Sequence, residues 1–439
     1  MKTFKGGIHP PEEKELVKDN PIADFPLSST FYVLVQQHLG APAKPIVKAG
    51  DEVKKGQVIT EPLGFVSAPV HAPTSGTVKE ISKMVHPVTG LLAPCIVIDA
   101  DGKDQWADGL PLERDPSVMT TEELMGAIKA AGIVGMGGAT FPTHVKLSPP
   151  KEKTIDTFIV NGAECEPYLS SDYRLMLEQP ERVLGGTLIA MRILGLDKAI
   201  LAIESNKPDA IKLMESKAPP QIQVETLKVK YPQGAEKQLI NALTGREVPS
   251  GGLPMDVGAV VQNAGTCAAI YDACAHGIPL IERITSVTGR GIKHPKNIKV
   301  RIGTPIKDVI DFCGGLNDAA KIIFGGPMMG IAQFSDDISI MKGTSGVLVL
   351  TEKDTNISHY SACISCGRCV EACPMCLIPS TLSKAGEKSM WQMALDNNLL
   401  DCVECGSCTF VCPANRPIVH FVKYLKALQR AANAKSKGA

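Results

Sequence analysis

Residues 131–147 read AGIVGMGGATFPTHVKL, and the stretch around this run decides the fold class. Four of the seven positions from 132 to 138 are glycine: Gly132, Gly135, Gly137 and Gly138. Such a run lets backbone N–H groups approach a phosphate or a flat ring. It is neither a G-x-G-x-x-G after a strand nor a Walker loop, and alone it would mean only a tight turn. Its surroundings say more. The preceding TTEELMGAIKAAG has Glu122 and Glu123 in a first helical turn and Gly132 as a stop. Downstream, TIDTFIVNGAECEP carries an apolar strand, Phe158 to Val160, running into Asn161, Glu164 and Glu166. Open α/β sheets place ligands at such strand ends. ERVLGGTLIAMRILGLDKAILAIESNKPDAIKLMESK then alternates helix, strand and helix. Two polar loops follow beside apolar segments, YPQGAEKQLINALTGREVPSGG and VVQNAGT. Alternation from about 120 to 280 predicts an α/β domain.

Two cysteine runs carry the clearest chemistry. CISCGRCVEACPMC (363–376) sets Cys363, Cys366, Cys369 and Cys373 at C-x2-C-x2-C-x3-C, with Pro374 next. DCVECGSCTFVCP (401–413) repeats the spacing at Cys402, Cys405, Cys408 and Cys412, with Pro413 next. Three thiolates at this interval fit three corners of a cubane, and the fourth reaches the other cluster in two-cluster ferredoxins. Cys363, Cys366, Cys369 and Cys412 therefore form one expected [4Fe-4S] set, and Cys402, Cys405, Cys408 and Cys373 the other. Zinc also takes paired C-x2-C, but does not call for a third cysteine at the same interval or a Pro after a fourth. Cys376 is left over and reads as a spare thiol beside the second cluster. The linker STLSKAGEKSMWQMALDNNLL reads as helical, with Leu382, Trp391, Ala394 and Leu395 apolar and no internal Pro. A helical dicluster domain follows, with the clusters roughly a dozen ångströms apart.

The remaining segments read as supports. The chain has 439 residues, 44% hydrophobic and 21% charged, with a formal net charge of +0. That length allows several domains, and the balance gives no support for a nucleic-acid surface. No apolar run reaches membrane-span length, and MKTFKGGIHPPEE lacks the apolar core of a signal peptide. Fourteen cysteines in such a chain point to cluster ligation in a reducing cytoplasm rather than disulfides. Residues 45–80 alternate short β-branched segments with turns at Gly50, Gly56 and Ser75-Gly76, which predicts a small all-β unit. His71 reads as a turn residue, not a ligand. SVTGRG, NIKVRIG and KIIFGGPMMG surround an expected helix, IKDVIDFCGG. Cys95, Cys267, Cys274 and Cys313 read as buried thiols. Phe421, Leu425 and Leu428 with Lys423, Lys426 and Arg430 predict an amphipathic basic terminal helix.

These motifs together resemble a known family. GMGGATFPTHVK resembles the flavin loop of the flavoprotein subunit of respiratory complex I, and NGAECEP, YPQGAEKQL and VVQNAGT resemble its further motifs. FKGGIHPPEEKE, GATFPTHVKL and the double cysteine run are together similar to the C subunit of Rnf complexes, over nearly the whole chain. The resemblance implies that Gly135, Gly137, Gly138, Ala139 and Phe141 line an FMN and NADH site. By the same resemblance Lys146 and Asn161 lie near the flavin, Glu164 and Glu166 near flavin and nicotinamide, and Asn263 and Thr266 on the FMN phosphate side. Ala163, Gln262 and the run 234–237 depart from the complex I pattern. No side chain is expected as an acid or base, because hydride transfer needs alignment of two rings. A flavin belongs between a two-electron donor and one-electron clusters.

Residues 45–80 are similar to biotinyl/lipoyl barrel-sandwich domains without the modified lysine, and 283–335 to a β-grasp of the soluble-ligand-binding type. The expected order is an N-terminal segment (1–40), barrel-sandwich unit (41–105), Rossmann-like FMN/NADH domain (115–282), β-grasp (283–335), dicluster domain (355–425) and basic tail (426–439). The implied protein is a peripheral, NADH-oxidising subunit on the cytoplasmic side of the bacterial cell membrane. Its implied partners are the other Rnf subunits, including the iron–sulfur B subunit and the membrane subunits, with ferredoxin served indirectly. A soluble reductase such as the cobalamin reductase of propanediol utilisation would share the loop and both runs; GGIHPPEE favours the Rnf reading. The intact glycine loop speaks against a relay without flavin, and the cysteine runs exclude the related quinone-side sodium-pump subunit.

Overall fold

The computed structural model describes residues 1–355 and 359–437, with side chains to 433. Residues 356–358 of the expected dicluster segment, and 438–439 of the expected tail, lie outside the described residues. Among the described residues no helix is long and apolar enough to cross a membrane.

The α/β domain is built as its sequence predicts. Helix Thr121–Ala130 starts at Thr120, whose side chain accepts from the Glu123 N–H while Glu123 reaches back, a capping box. Helices Pro180–Leu194, Pro208–Lys217 and Ala264–His276 cover a four-stranded parallel sheet. Its strand order is Ile222–Leu227, Ala199–Glu204, Thr157–Gly162, Ala259–Asn263. The chain moves outward from Thr157–Gly162 in one direction and returns on the other side with Ala259–Asn263. The order thus reverses between those two strands, and a crevice opens at their carboxyl ends. Phe158, Val160, Leu201 and Val260 fill the core beneath.

The barrel-sandwich unit has a four-stranded antiparallel sheet in which Thr30–Leu34 pairs with Leu92–Ala100, and Leu92–Ala100 with Gly76–Val85. Gly50 and Gly56 turn with φ of 88° and 81°. Gly76 instead opens a strand, where a Cβ would stand 2.1 Å from the Asp99 carbonyl oxygen. His71 is buried, and desolvation pushes its imidazole down to about 3. The β-grasp sheet holds six strands, and Gly346–Thr351 lies inside it between Glu282–Thr288 and Ala319–Phe324. Ile22–Asp24 adds a parallel edge strand through Lys296–Arg301.

In the cysteine-rich part, the linker is two helices, Pro379–Glu387 and Trp391–Asp396, broken at Ser389 with φ 54°. Trp391 is 39% exposed, so it is not the core residue its spacing predicts. The last helix runs from Ile418 to Lys437 and buries Ile418, Val422 and Leu425. Lys426, expected on a basic outer face, instead donates to the Cys402 carbonyl at 2.7 Å.

Candidate functional site

The glycine loop sits at the sheet's reversal point. Gly135 N–H donates to the Phe141 carbonyl at 2.9 Å, which closes the loop at its base. Met136 N–H donates to Thr266 Oγ1 at 2.9 Å and ties the loop to helix Ala264–His276. Between these anchors Gly137, Gly138 and Ala139 are exposed. Their N–H groups have no acceptor among the described residues. Gly138 holds φ 116°, and a Cβ there would meet only open space. Exposed N–H groups without a protein acceptor, on a loop where Gly138 holds a φ that side chains rarely adopt, are what a phosphate or a flat ring needs. On this observation the residues fit a flavin nucleotide.

The strand ends complete the crevice. Asn161 and Asn263 are register partners. Asn161 Nδ2 donates to the Gly234 carbonyl at 2.7 Å, and its Oδ1 accepts from Ala163 N–H at 3.2 Å. Asn263 caps helix Ala264–His276, accepting from Thr266 N–H at 3.2 Å, and donates to Asp172 Oδ2 at 2.6 Å. Lys146 donates to the Val261 carbonyl at 2.7 Å and pairs with Glu236.

Glu164 and Glu166 lie on the same loop but are engaged by protein donors. Glu164 accepts from Asp172 N–H at 2.8 Å and Tyr173 N–H at 3.2 Å at the start of helix Ser171–Glu178. Glu166 accepts from Met328 N–H at 3.1 Å and Met329 N–H at 2.8 Å in the β-grasp. Burial pushes the Glu166 carboxyl up to about 7, against those two N–H bonds. Burial and Glu164 likewise push Asp172 up.

Several residues here escape a reading by composition. Lys14, in the charged run EEKE, is 7% exposed and donates to the carbonyls of Glu164, Glu166 and Leu169. Tyr231 donates to the Cys405 carbonyl at 2.7 Å. Gly234 and Glu236 sit in a run that the sequence marks only as a departure from the complex I pattern. The segment GGIHPP clasps two domains: Gly7 N–H donates to Ala372 O at 3.0 Å, and Ile8 exchanges bonds of 2.8 and 2.9 Å with Tyr231. Gly6 has φ 76°, and a Cβ would stand 2.6 Å from the Cys373 carbonyl oxygen, so the close approach needs glycine.

The thiols gather across the two runs. Cys373, Cys402, Cys405 and Cys408 line one cavity of about 20 Å³, otherwise walled by residues such as Leu377, Ile418 and Val422. Burial pushes the Cys402 thiol up to about 11. It raises Cys408 further, with the thiols of Cys402, Cys405 and Cys373 adding to the effect. Cys369 packs with Cys412 against Ile418 and Val419. Cys363 is half-buried and Cys366 exposed. Gly367 and Gly406 turn each run into a short helix with φ of 79° and 82°. Among the described residues no three His, Cys, Asp or Glu side chains converge to hold a single metal ion. Four thiols from two runs of cubane spacing, lining one cavity, fit a cubane rather than one zinc. Cys376 is exposed, outside that lining.

Four family models match in order: the RnfC barrel sandwich hybrid domain over residues 2–103, the Nuo51 FMN-binding domain over 128–272, the SLBB domain over 284–332 and the 4Fe-4S dicluster domain over 357–416. The NAD+-reducing [NiFe]-hydrogenase in its H2-reduced state is similar in fold, with TM-score 0.50 and 19% identity, over 74% of this chain and 68% of that one. Loop, thiols and domain order define a flavin- and iron–sulfur-binding oxidoreductase subunit with a complex I-type FMN domain.

The relatives are more specific. The C subunit of the proton-translocating ferredoxin:NAD(+) oxidoreductase complex of Clostridium ljungdahlii is 55% identical, over 100% of this chain and 96% of its own. The C subunit of the Na(+)-translocating ferredoxin:NAD(+) oxidoreductase complex of Acetobacterium woodii is 45% identical, over 97% and 96%. The chain belongs to this family, the C subunits of the ion-translocating Rnf complexes.

Proposed function

We propose that the chain is the NADH-oxidising electron-input subunit of an Rnf complex, working as an NAD:ferredoxin oxidoreductase coupled to ion translocation. The observation that carries this reading is the meeting, on one chain, of the glycine loop at the sheet reversal and two four-cysteine runs of cluster spacing. FMN, when bound, supplies the exchange between hydride and single electrons that clusters require.

The protein's own work is positioning. Gly135, Gly137, Gly138 and Ala139 offer backbone N–H groups, with Phe141 at the loop's return. Lys146, braced by Glu236, places positive charge beside the strand ends. Asn161 has its amide committed to Gly234 and fixes the wall of the crevice. Asn263 and Thr266 hold the helix start and the loop together, on the side proposed for the FMN phosphate. Glu164 and Glu166, engaged by backbone donors, set the shape of the 161–170 loop beside flavin and nicotinamide. One cluster is proposed on Cys363, Cys366, Cys369 and Cys412, the other on Cys373, Cys402, Cys405 and Cys408. The division of labour follows the expected units: 41–105 supports or docks, 115–282 holds flavin and NADH, 283–335 braces, and 355–425 carries the clusters. The expected partners are the iron–sulfur B subunit and the membrane subunits, with the chain peripheral on the cytoplasmic face.

Anaerobically purified protein should carry about eight irons and one FMN, and its visible bands should bleach with NADH. About four irons, or no flavin, would overturn the reading.

A further inference from the structure

The two thiol sets stand in different surroundings. In the set of Cys373, Cys402, Cys405 and Cys408, three thiols are buried, at 9%, 7% and 9% exposure for Cys373, Cys405 and Cys408. In the set of Cys363, Cys366, Cys369 and Cys412 only Cys369 is buried, and Cys366 is exposed. The first is an inner set and the second an outer one.

The inner set meets the flavin domain at Tyr231, while Gln238 donates to Met375 Sδ at 2.9 Å on the Cys373 side. Tyr231 is 2% exposed and packs with Cys405, Ala372 and Ile8, with Cys165 and Met328 against the same cluster. Its hydroxyl donates to the Cys405 carbonyl at 2.7 Å. Three residues on, Gly234 accepts from Asn161 Nδ2 at 2.7 Å and donates its N–H to Cys165 Sγ at 3.2 Å. A hydrogen-bonded, packed path therefore joins Asn161, at the strand end, to Cys405. Of the outer set, Cys369 and Cys412 pack on Ile418 and Val419 of the last helix, beside Cys408. Around it Ile364, Val370 and Phe410 are 66%, 38% and 52% exposed.

We propose that Tyr231 is the positioning residue that couples the flavin crevice to the inner thiol set, so that the sets serve in a fixed order, inner toward the flavin and outer toward a one-electron redox protein. The inference rests on the flavin and cluster assignments above. The balance is simple: NADH and one proton give the flavin two electrons and two protons. The electrons leave singly through the inner and then the outer set to the acceptor protein, and the two protons return to solvent.

Tyr231→Phe removes only the hydroxyl. Its O–H dipole points at the Cys405 carbonyl and favours added negative charge on the inner set. In an EPR-monitored redox titration of the holoprotein, one cluster should shift to lower potential and the other should stay. Cys366→Ser and Cys405→Ser assign the two signals, and the shifted one should be the signal that survives in Cys366→Ser. In freeze-quenched samples mixed with NADH, Cys366→Ser should still show a reduced cluster. Cys405→Ser should keep a cluster that dithionite reduces but NADH does not. Two unshifted potentials in Tyr231→Phe would overturn the proposal even if both cysteine variants failed to assemble. So would a shift confined to the outer signal, or full NADH reduction of the outer cluster in Cys405→Ser. Wild-type protein that does not bleach with NADH would instead refute the functional reading beneath it.

Discussion

Asn161 and Asn263 stand side by side as register partners at the carboxyl ends of two neighbouring parallel strands. One stiffens the crevice wall through Gly234, and the other caps the helix that anchors the glycine loop. Asn263→Ala removes that cap and the bond to Asp172. The expected cost is about 1 kcal/mol of stability from the cap, read by denaturant unfolding. Flavin retention on gel filtration should fall at the same time. Unchanged flavin content would argue that the helix start takes no part in holding it.

Lys146 is a second lever. Its partner Glu236 is 37% exposed in the side chain and Lys146 26%, so the ion pair itself adds little to stability. Lys146→Met should therefore unfold within about 1 kcal/mol of the wild type. Its effect belongs on the cofactor: the flavin-to-protein absorbance ratio after dialysis should drop severalfold. A normal ratio would remove Lys146 from the proposed flavin contacts.

Cys376 and Cys373 make a close contrast. Cys376 is exposed with φ 54°, whereas Cys373 is buried in the lining of the inner cavity. Cys376→Ser should keep about eight irons, and Cys373→Ser should lose iron from the set completed by Cys402, Cys405 and Cys408. Iron and sulfide assays decide it; loss of a cluster in Cys376→Ser would reverse the assignment.

Lys342 gives a pH-dependent test. It is 0% exposed and donates to the carbonyls of Pro69 at 2.8 Å and Gly132 at 2.7 Å. Burial pushes its ammonium down from 10.5 to about 7. Between those values the unfolded chain binds more protons than the folded one, so stability rises with pH across that window. Lys342→Met removes this dependence. Wild type should gain on the variant between about pH 7 and about pH 10, by up to several kcal/mol. Parallel melting curves with no change in their gap would place the amine in water.

Local patterns made the glycine loop, the thiol runs and the α/β alternation legible, because each depends on residues within a few positions of one another. What the sequence hid was long-range. GVLVL reads only as a strand of suitable length; its place inside the β-grasp sheet depends on pairing with Glu282–Thr288 and Ala319–Phe324. The linker reads as helical with nothing to mark a break, but Gly386 packs against Phe421, where a Cβ would stand 2.5 Å from that side chain's Cβ. The chain breaks just beyond, at Ser389. Lys14 and Lys426 look like solvent charges in a string of letters. Each is claimed by backbone carbonyls far away in sequence. Glu166 is visible as a motif acid, but nothing nearby in sequence announces its grip on Met328 and Met329.

The GGIHPP clasp has a consequence for biogenesis. Gly6 and Gly7 rest on Cys373 and Ala372, so part of the segment's seat belongs to the thiol loop and part, at Tyr231, to the α/β domain. This segment is synthesised long before the cysteines it touches. Its contacts with Tyr231 and Leu227 lie on the α/β domain, which is made first, and those with Ala372 and Cys373 can close only after the cysteine-rich part has been made.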